Sequence, residues 1–410
     1  MICKKKQINM NILSNEEILL INPPSFVEGT LNTEPIPLGL IFINRYLENH
    51  GFPSTIINLA DCKCWEEVYA QFNLISHPRV IGISSYTRQR FSTMELSHWL
   101  HSVFPTAIIC LGGPHATFLD EPILRNNTEI NYIIRGEGEE TFLELVQKEF
   151  NNIDVSRTQI LGISYLDENG HFVRTADRPF LRDLSSLPLP LETLDELGPL
   201  SVTDSLKFHF PASAKHNFKM APIITSRGCN GICSFCCNRS FWGNNRCTGA
   251  YYAFEQFKYY YDIGISFFDI YDDNFSSNQE QVFSLCDMLI KSNMNVQWWC
   301  SSRVDTVNLE LLKKMKQAGC FLISFGVESG AQTILNRINK GVKVSDIIIA
   351  CTLARKIGLS FRVTISIGHL GETDETISET INLINCLRPN QVAIFILKVY
   401  PGTPLDTFLK

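Results

Sequence analysis

The chain has 410 residues, which is enough for two domains that each bury a core of their own. Its hydrophobic fraction of 45% and charged fraction of 19% are those of a globular protein, which excludes a disordered or fibrous chain. The net charge is −6 and the single basic block covers residues 4–6, which argues against nucleic acid as the main partner.

The N-terminal residues and the cysteines indicate the compartment. Residues 1–17 lack the apolar segment of a secretory signal, and no apolar run approaches the length of a membrane span. The 14 cysteines are spread along the chain, and without a secretory signal they favour a reducing interior over a disulfide scaffold. We therefore predict a cytoplasmic protein without an integral membrane segment.

Residues 16–150, behind a tail at 1–15, alternate short apolar runs with helical patterns. The runs predict strands at 18–21, 55–59, 80–84, 107–111 and 132–134. Strands that alternate with helices predict a doubly wound parallel sheet, of the Rossmann-like kind. Such a sheet binds ligands at the carboxyl ends of its strands.

Polar and glycine-rich turns follow these predicted strands. Glycine there lets the backbone approach a large ligand, although any one turn alone could simply be tight. For His115, a hydrogen bond at the start of a helix is a simpler role than ligand binding. The candidate ligand-binding residues in these turns are Ser84, Ser85, Tyr86, Gly112, Gly113, His115, Gly136 and Glu137.

Residues 151–215 are predicted to connect two domains. The pattern at 160–173 predicts a β-hairpin. The segment 187–191 alternates leucine with proline, which makes it stiff and extended and suits a crossing between domains.

Residues 216–410 return to strand–helix repeats. The predicted strands lie at 221–225, 265–271, 296–300, 321–325, 361–367 and 392–397. Six such repeats predict an open or partial (β/α)6 barrel of the TIM type, whose reactive groups sit at the carboxyl ends of the strands.

Three cysteines follow the first strand of this second domain. Cys229, Cys233 and Cys236 have the spacing C-x3-C-x2-C on one loop. Three thiolates can hold three irons of a [4Fe–4S] cluster and leave the fourth iron open to a small molecule. A zinc site usually has four ligands, and Cys237 or Cys247 could in principle complete one.

This loop, with Phe235 before its last cysteine, resembles the signature of the radical S-adenosylmethionine enzymes. The turns at 22–24, 112–116 and 135–140 resemble the cobalamin-binding domain that precedes the radical domain in many of these enzymes. The resemblance covers roughly residues 16–405. The classical D-x-H-x-x-G loop is missing, because residues 22–37 contain no histidine, so no histidine of that loop is expected to ligate cobalt.

The resemblance implies a radical enzyme with three cofactors: a [4Fe–4S] cluster, S-adenosylmethionine and cobalamin. The cluster would chelate S-adenosylmethionine and cleave it to a 5′-deoxyadenosyl radical. The expected reaction is class B-like methylation of an unactivated carbon in a small-molecule or natural-product substrate. The expected electron donor is a flavodoxin or a ferredoxin.

The resemblance also implies contacts to S-adenosylmethionine at the strand ends. After the second strand of the second domain, Asp272 and Asp273 would accept hydrogen bonds from its ammonium group. Arg303, after the third strand, would pair with its carboxylate, and Glu328, after the fourth, would accept a hydrogen bond from its ribose. Helix capping and a surface ion pair are the simpler alternatives. The predicted contacts are Phe235, Asp272, Asp273, Arg303, Glu328 and Ser329.

Two other functions stay open from the sequence. One is a radical cyclisation or rearrangement that uses the same cofactors without methyl transfer, and the other is a non-catalytic cobalamin or iron–sulfur sensor. The substrate and the oligomeric state are not indicated. Homologous enzymes usually continue past the point where this chain ends, which is typical of either a short form or a missing substrate-shaping region.

Overall fold

The computed structural model describes residues 17–25, 37–75, 77–151, 156–191 and 220–410. The chain divides into two compact units, residues 1–179 with 192–197 and residues 180–191 with 198–410. The predicted tail at 1–15 and the connector from 192 to 215 lie outside the described residues.

The first unit contains a seven-stranded sheet among its described residues. Its strands are β1 (Ile18–Asn22), β2 (Thr55–Asn58), β3 (Val80–Ser84), β4 (Ile108–Gly112), β5 (Tyr132–Ile134), β6 (Ile163–Leu166) and β7 (Phe172–Arg174). Their order is β2-β1-β3-β4-β5-β6-β7, and the pairs from β2 to β5 are parallel. The chain reverses its direction of winding between β1 and β3, which is the switch point where such sheets bind ligands.

Helices on both faces bury this sheet. They are α1 (Leu38–Asn49), α2 (Trp65–Ala70), α3 (Arg90–Val103), α4 (Pro114–Phe118), α5 (Asp120–Asn126) and α6 (Glu139–Asn151). Alternate residues of one strand point to opposite faces, so Leu19 and Ile81 join one core while Leu20 and Val80 join the other. Burial on both faces explains why the strands are continuous apolar runs.

The hairpin of β6 and β7 belongs to this first unit and lengthens its sheet. β6 pairs antiparallel with β5, and β7 pairs antiparallel with β6. The buried guanidinium of Arg135 donates to the carbonyl groups of Ile163 and Thr175, and to Asp177. The first unit therefore continues to residue 179, past the boundary at residue 150 that the sequence predicted.

The second unit contains a six-stranded parallel sheet among its described residues. Its strands are β8 (Met220–Ile223), β11 (Phe267–Ile270), β12 (Gln297–Ser302), β13 (Cys320–Glu328), β14 (Ser360–Ile367) and β15 (Gln391–Ile396). They are neighbours in the order in which they follow along the chain, from β8 to β15. A two-stranded ribbon of β9 (Ser226–Arg227) and β10 (Arg246–Cys247) follows β8.

Helices follow the strands of this second sheet. They are α7 (Asn238–Trp242), α8 (Ala250–Asp262), α9 (Gln279–Lys291), α10 (Leu309–Gln317), α11 (Gln332–Arg337), α12 (Val344–Lys356), α13 (Asp374–Leu387) and α14 (Pro404–Leu409). Side chains of Asn278, Asn308 and Thr373 cap the first turns of α9, α10 and α13.

The predicted fold class is confirmed in both units. Each predicted strand is present with boundaries within a few residues of the prediction, and the six repeats form the parallel sheet of a partial barrel. No helix in the described part of the chain is long and apolar enough to cross a membrane.

Candidate functional site

The cysteine loop begins where β8 ends, at the carboxyl edge of the second sheet. The ribbon of β9 and β10 leads into it, and Gly228 opens the loop with a φ of +85°. A Cβ atom at position 228 would lie 2.8 Å from the carbonyl oxygen of Asn244. Both the backbone angle and the close approach require glycine, so this residue fixes the direction in which the loop leaves the sheet.

The carboxylate of Asp272 holds the base of the loop. Asp272 follows β11 and is buried, and it accepts hydrogen bonds from the backbone N–H groups of Thr225 (2.7 Å) and Ser226 (3.1 Å). The two hydroxyl groups of the same residues donate to it as well, at 2.5 and 2.7 Å. Burial raises the pKa of Asp272, and these four bonds oppose that shift. The structure thus gives Asp272 a role inside the protein rather than toward a ligand.

Each of the three predicted cluster cysteines has a hydrogen-bond donor at its sulfur. The backbone N–H groups of Gly231 and Asn238 donate to Cys229 (3.3 Å) and Cys236 (3.5 Å). The Nη1 atom of Arg303 lies 3.8 Å from the sulfur of Cys233. Hydrogen bonds to cluster sulfurs are one of the means by which proteins set the properties of iron–sulfur centres.

Burial raises the pKa of the Cys236 thiol to about 12 and that of Cys229 above its ordinary value. A metal reverses this preference, since a coordinating thiol is deprotonated. The half-buried thiols on one short loop therefore suit a group that supplies positive charge. This donor set fits three irons of a [4Fe–4S] cluster.

A single-ion zinc site is less well supported. The described residues contain no group of three or more His, Cys, Asp or Glu side chains that could hold one metal ion. Cys237 begins α7, and the thiol of Cys247 lies 3.3 Å from the amide oxygen of Asn245. A cluster differs from a single ion in that its thiolates bind separate irons, so it does not need all three sulfurs around one point.

Asp273 lies beside the cysteine loop, with an exposed side chain whose carboxyl group is nevertheless surrounded by atoms of the loop. Its carboxylate accepts from the side-chain amide of Asn238 at 2.5 Å and from the backbone N–H of Gly228. Burial of its carboxyl group by the surrounding loop, followed by the charge of Asp272, raises the pKa of Asp273 to about 6. Of the two predicted acids, Asp273 is the one that solvent and a ligand can reach.

Glu328 ends β13 in a backbone conformation that is unusual for its residue type. Its φ is +65°, and the pairing with β14 shifts register between Gly326 and Glu328. The carboxylate pairs with the ammonium of Lys340 at 2.8 Å, with side chains that are 12% and 6% exposed. Such strain persists where the surrounding structure enforces it and is concentrated at functional sites.

The other two predicted contacts at this edge are engaged inside the protein. Ser329 is buried, and its hydroxyl group contacts Thr380 and accepts from the backbone N–H of Ala331. The guanidinium of Arg303 binds Asp305 through two nitrogens. These two residues thus stabilise the strand ends, whatever further contacts they make.

His369 lies in the turn after β14, opposite the aromatic residue of the cysteine loop. Its ring centroid is 5.5 Å from that of Phe235. The side chain is buried, and its Nε2 atom has no hydrogen-bond partner among the described residues. Burial lowers the pKa of His369, so the neutral imidazole presents an unused polar atom here.

In the first unit, polar side chains meet at the switch point of the sheet. The amide of Asn22, at the end of β1, donates to Asn58 at the end of β2 (2.8 Å). The hydroxyl of Ser84, at the end of β3, donates to the Asn22 amide oxygen (3.1 Å). The carboxyl ends of three neighbouring strands are thereby joined.

The turns after β3 and β4 are in direct contact. The backbone N–H of Ser85 donates to the carbonyl of Gly112 (2.7 Å), and the N–H of His115 donates to the carbonyl of Ser85 (3.1 Å). Gly113 has a φ of +94°, and a Cβ atom there would lie 2.9 Å from the Ser85 oxygen. The hydroxyl of Ser85 is buried without a hydrogen-bond partner among the described residues.

The remaining predicted residues flank this contact. The imidazole Nδ1 atom of His115 lies 3.1 Å from the Thr87 hydroxyl, and His115 is buried at the start of α4. The backbone N–H of Gly136, after β5, donates to the Thr117 hydroxyl (3.1 Å). Two further predicted residues lie in the same turns, Tyr86 exposed and Glu137 buried. The candidate residues of the first unit thus share one edge of the sheet.

Sequence reasoning missed several of these residues. Lys340 follows a helix in the sequence, and the glycine after it, Gly341, is the one sequence feature that indicates a turn there. His369 lies in the turn at 368–373, and its residue type alone carries no specific signal. Three other residues lie in or directly after predicted turns, but their residue types carry no specific signal. They are Asn238, Thr117 and Thr87.

Two family models match the chain in the order in which the two units occur. The B12 binding domain model matches residues 24–146, and the Radical SAM superfamily model matches residues 223–384. The second match contains the cysteine loop and the strand ends described above, and the first contains the switch point.

Known proteins of similar sequence align with most of this chain. "Uncharacterized methyltransferase PH0819" of Pyrococcus horikoshii is 28% identical over 393 residues, which are 95% of this chain and 82% of that protein. An anaerobic magnesium-protoporphyrin IX monomethyl ester cyclase of Cereibacter sphaeroides is 28% identical over 80% of this chain, which spans 52% of the cyclase.

The structure of the radical S-adenosylmethionine methyltransferase TsrM from Kitasatospora setae, with cobalamin and a [4Fe–4S] cluster bound, superposes with a TM-score of 0.76. The match covers 95% of this chain and 74% of that one, at 16% identity. At this identity the likeness concerns the fold alone.

Proposed function

We propose that this chain, which contains a B12 binding domain and a radical SAM superfamily domain, methylates an unactivated carbon of a small-molecule substrate. When bound, the cluster supplies the electron that cleaves S-adenosylmethionine, and cobalamin carries the methyl group. The observation that carries the proposal is the loop on which Cys229, Cys233 and Cys236 each have a donor at sulfur.

In this proposal the three cysteines hold the cluster. Backbone hydrogen bonds fix the loop around Ser234: its N–H donates to the carbonyl of Ile338 (2.9 Å), and its carbonyl accepts from Leu405 (2.8 Å). The loop is thus attached to the residue that follows α11 and to the first turn of α14. Such fixation holds the thiols in place before the cluster assembles, which reduces the ordering cost of binding.

The strand ends around the loop are the proposed contacts of S-adenosylmethionine. Asp273 is exposed and would accept from the ammonium group, while Asp272 is already saturated by its own loop. The pair of Glu328 and Lys340 offers an acceptor and a cation at the end of β13. Phe235 would border the ligand from the loop side. The hydroxyl of Ser329 is already bonded to Thr380 and Ala331, and Ser329 would support this edge from below.

Cobalamin is the proposed ligand of the first unit. Its site at the switch point would be lined by the backbone of Gly113 and Gly136 and by Ser85, whose hydroxyl has no partner in the described part of the chain. Ser84, Tyr86, Gly112, His115 and Glu137 lie in the same turns and complete the proposed set. His115 is bonded to Thr87 and would act as a hydrogen-bonding residue in this site.

Methyl transfer is proposed over the alternatives because of the names of the relatives. The Pyrococcus horikoshii relative, 82% of which aligns with this chain, is named a methyltransferase. The alignment with the Cereibacter sphaeroides cyclase covers only 52% of that protein. The substrate is a small molecule, and the electron donor is a flavodoxin or a ferredoxin. The cytoplasmic location stays a prediction from the sequence.

The test begins with anaerobic reconstitution of the full chain with iron and sulfide. S-adenosylmethionine and a strong reductant are then added, with hydroxocobalamin present or absent, and 5′-deoxyadenosine is measured. We expect product from the native chain and none from the triple Cys229/Cys233/Cys236→Ala variant. Cobalamin should remain with the native chain through gel filtration.

Cys237→Ala is the matched control for this test. It removes a neighbouring thiol without a place in the proposed triad, so the variant should keep both the cluster and the product. Transfer of a deuterated methyl group from S-adenosylmethionine, followed by mass spectrometry of small molecules, separates methylation from cyclisation. A well-folded native chain that assembles no cluster would refute the proposal.

A further inference from the structure

The guanidinium of Arg303 faces the cysteine loop. We propose that Arg303 is a positioning residue that sets the reduction potential of the cluster through the sulfur of Cys233, an inference that rests on the proposed function. It replaces the expectation that Arg303 pairs with the carboxylate of S-adenosylmethionine.

The hydrogen bonds of the guanidinium leave one nitrogen for the loop. Nε and Nη2 donate to the two carboxylate oxygens of Asp305, at 2.9 and 2.8 Å. Nη2 also donates to the backbone carbonyl of Lys340 (2.7 Å). Nη1 is then left beside Cys233, 3.8 Å from its sulfur. With the side chain 12% exposed, the group has little freedom to turn toward another partner.

The backbone of Arg303 is fixed as well. Its N–H donates to the side-chain oxygen of Asn274 (3.0 Å), and Asn274 is itself buried in the turn after β11. The guanidinium is therefore held at both ends, by its main chain and by its carboxylate partner. A planar group fixed in this way keeps a constant orientation toward the sulfur.

Gly231 makes room for this approach. A Cβ atom at position 231 would lie 2.9 Å from Nη1 of Arg303 and 3.4 Å from the sulfur of Cys229. Gly231 is not among the glycines with a positive φ, so its backbone would accept another residue type. Its small size, rather than its conformational freedom, is what leaves room for the guanidinium beside the cysteine loop.

A fixed cation at a cluster sulfur favours the more negative, reduced form of the cluster. Hydrogen bonds to the sulfurs and the net charge nearby are among the features that set cluster potentials. Removal of the cation should therefore lower the potential, and removal of the Asp305 charge should raise it. These opposite signs distinguish an electrostatic role from simple damage to the loop, which would shift both variants alike.

The experiment is a redox titration of the reconstituted full chain, followed by electron paramagnetic resonance. The variants are Arg303→Gln, Asp305→Asn and Gly231→Ala. Arg355→Gln serves as the control, because it removes the same charge from α12, where the guanidinium packs near the ring of Phe361. We expect Arg303→Gln to lower the ratio of reduced to oxidised cluster at a fixed potential about tenfold. This corresponds to a reduction potential lower by about 59 mV for one electron.

Asp305→Asn should shift the potential upward, Gly231→Ala should shift it downward, and Arg355→Gln should leave it at the native value. Unchanged potentials, or shifts of one sign in both charge variants, would overturn the inference. Weaker binding of S-adenosylmethionine by Arg303→Gln at an unchanged potential would do so too and would restore the carboxylate pairing. A native chain without a cluster would instead refute the proposed function itself.

Discussion

Removal of the Asp272 carboxylate should destabilise the cysteine loop before any cofactor binds. In Asp272→Ala the backbone N–H groups of Thr225 and Ser226 lose their acceptor in a buried place. Each buried unsatisfied group costs about 1–3 kcal/mol. Since the two hydroxyl groups can rotate to other partners, the two N–H groups dominate. We expect the free energy of unfolding to fall by about 4 kcal/mol.

Asp272→Asn is the matched variant for this prediction. Its amide oxygen still accepts from the N–H groups, and its NH₂ group can donate to the hydroxyl oxygens, so the expected loss is only about 1 kcal/mol. Urea unfolding of the cluster-free chain gives both values, and hydrogen exchange of the peptides spanning β8 and β9 localises the effect. Two variants as stable as the native chain, with protected amides, would show that Asp272 does not hold the loop.

Three further predictions concern the edges of the two sheets. Asp273 should bind S-adenosylmethionine only when ionised. Because its pKa is about 6, the affinity for S-adenosylmethionine should fall roughly fourfold between pH 7.5 and 5.5. Asp273→Asn should abolish this pH dependence in a binding titration. Lys340→Met leaves Glu328 as a buried unpaired charge and should cost about 3 kcal/mol in urea unfolding. The double variant with Glu328→Gln should recover most of that loss. Gly113→Ala should destabilise the first unit and reduce cobalamin retention, whereas Gly170→Ala, with a φ of +76° and no neighbour within 4 Å, adds backbone strain alone.

The fold was largely predictable because its signals are local. Buried parallel strands are continuous apolar runs, and their alternation with helices determines the class of sheet. The hairpin of β6 and β7 was predicted as a hairpin, but its attachment to β5 depends on the buried contacts of Arg135, which lie up to 42 residues away in sequence. A pattern along the chain carries no information on such a pairing.

The candidate site was only partly predictable, for a related reason. The spacing of Cys229, Cys233 and Cys236 is a local signal, and the strand-end positions of the other candidates follow from the repeat pattern. Which side chain is free for a ligand depends on its partners. Ser329 is buried against Thr380, and Lys340 contributes from beyond α11, and neither fact can be read from residue type.

The two adjacent acids after β11 show how partners divide such roles. Successive side chains on an extended segment point to opposite sides, so one of the pair faces inward and the other outward. Asp272 turns inward and is saturated by Thr225 and Ser226, while Asp273 stays exposed beside Asn238. Burial raises the pKa of Asp273, and the charge of Asp272 raises it further, since two nearby carboxylates disfavour joint ionisation. A bound ammonium group relieves this repulsion, so the acid that holds the loop also strengthens the preference of its neighbour for a cation.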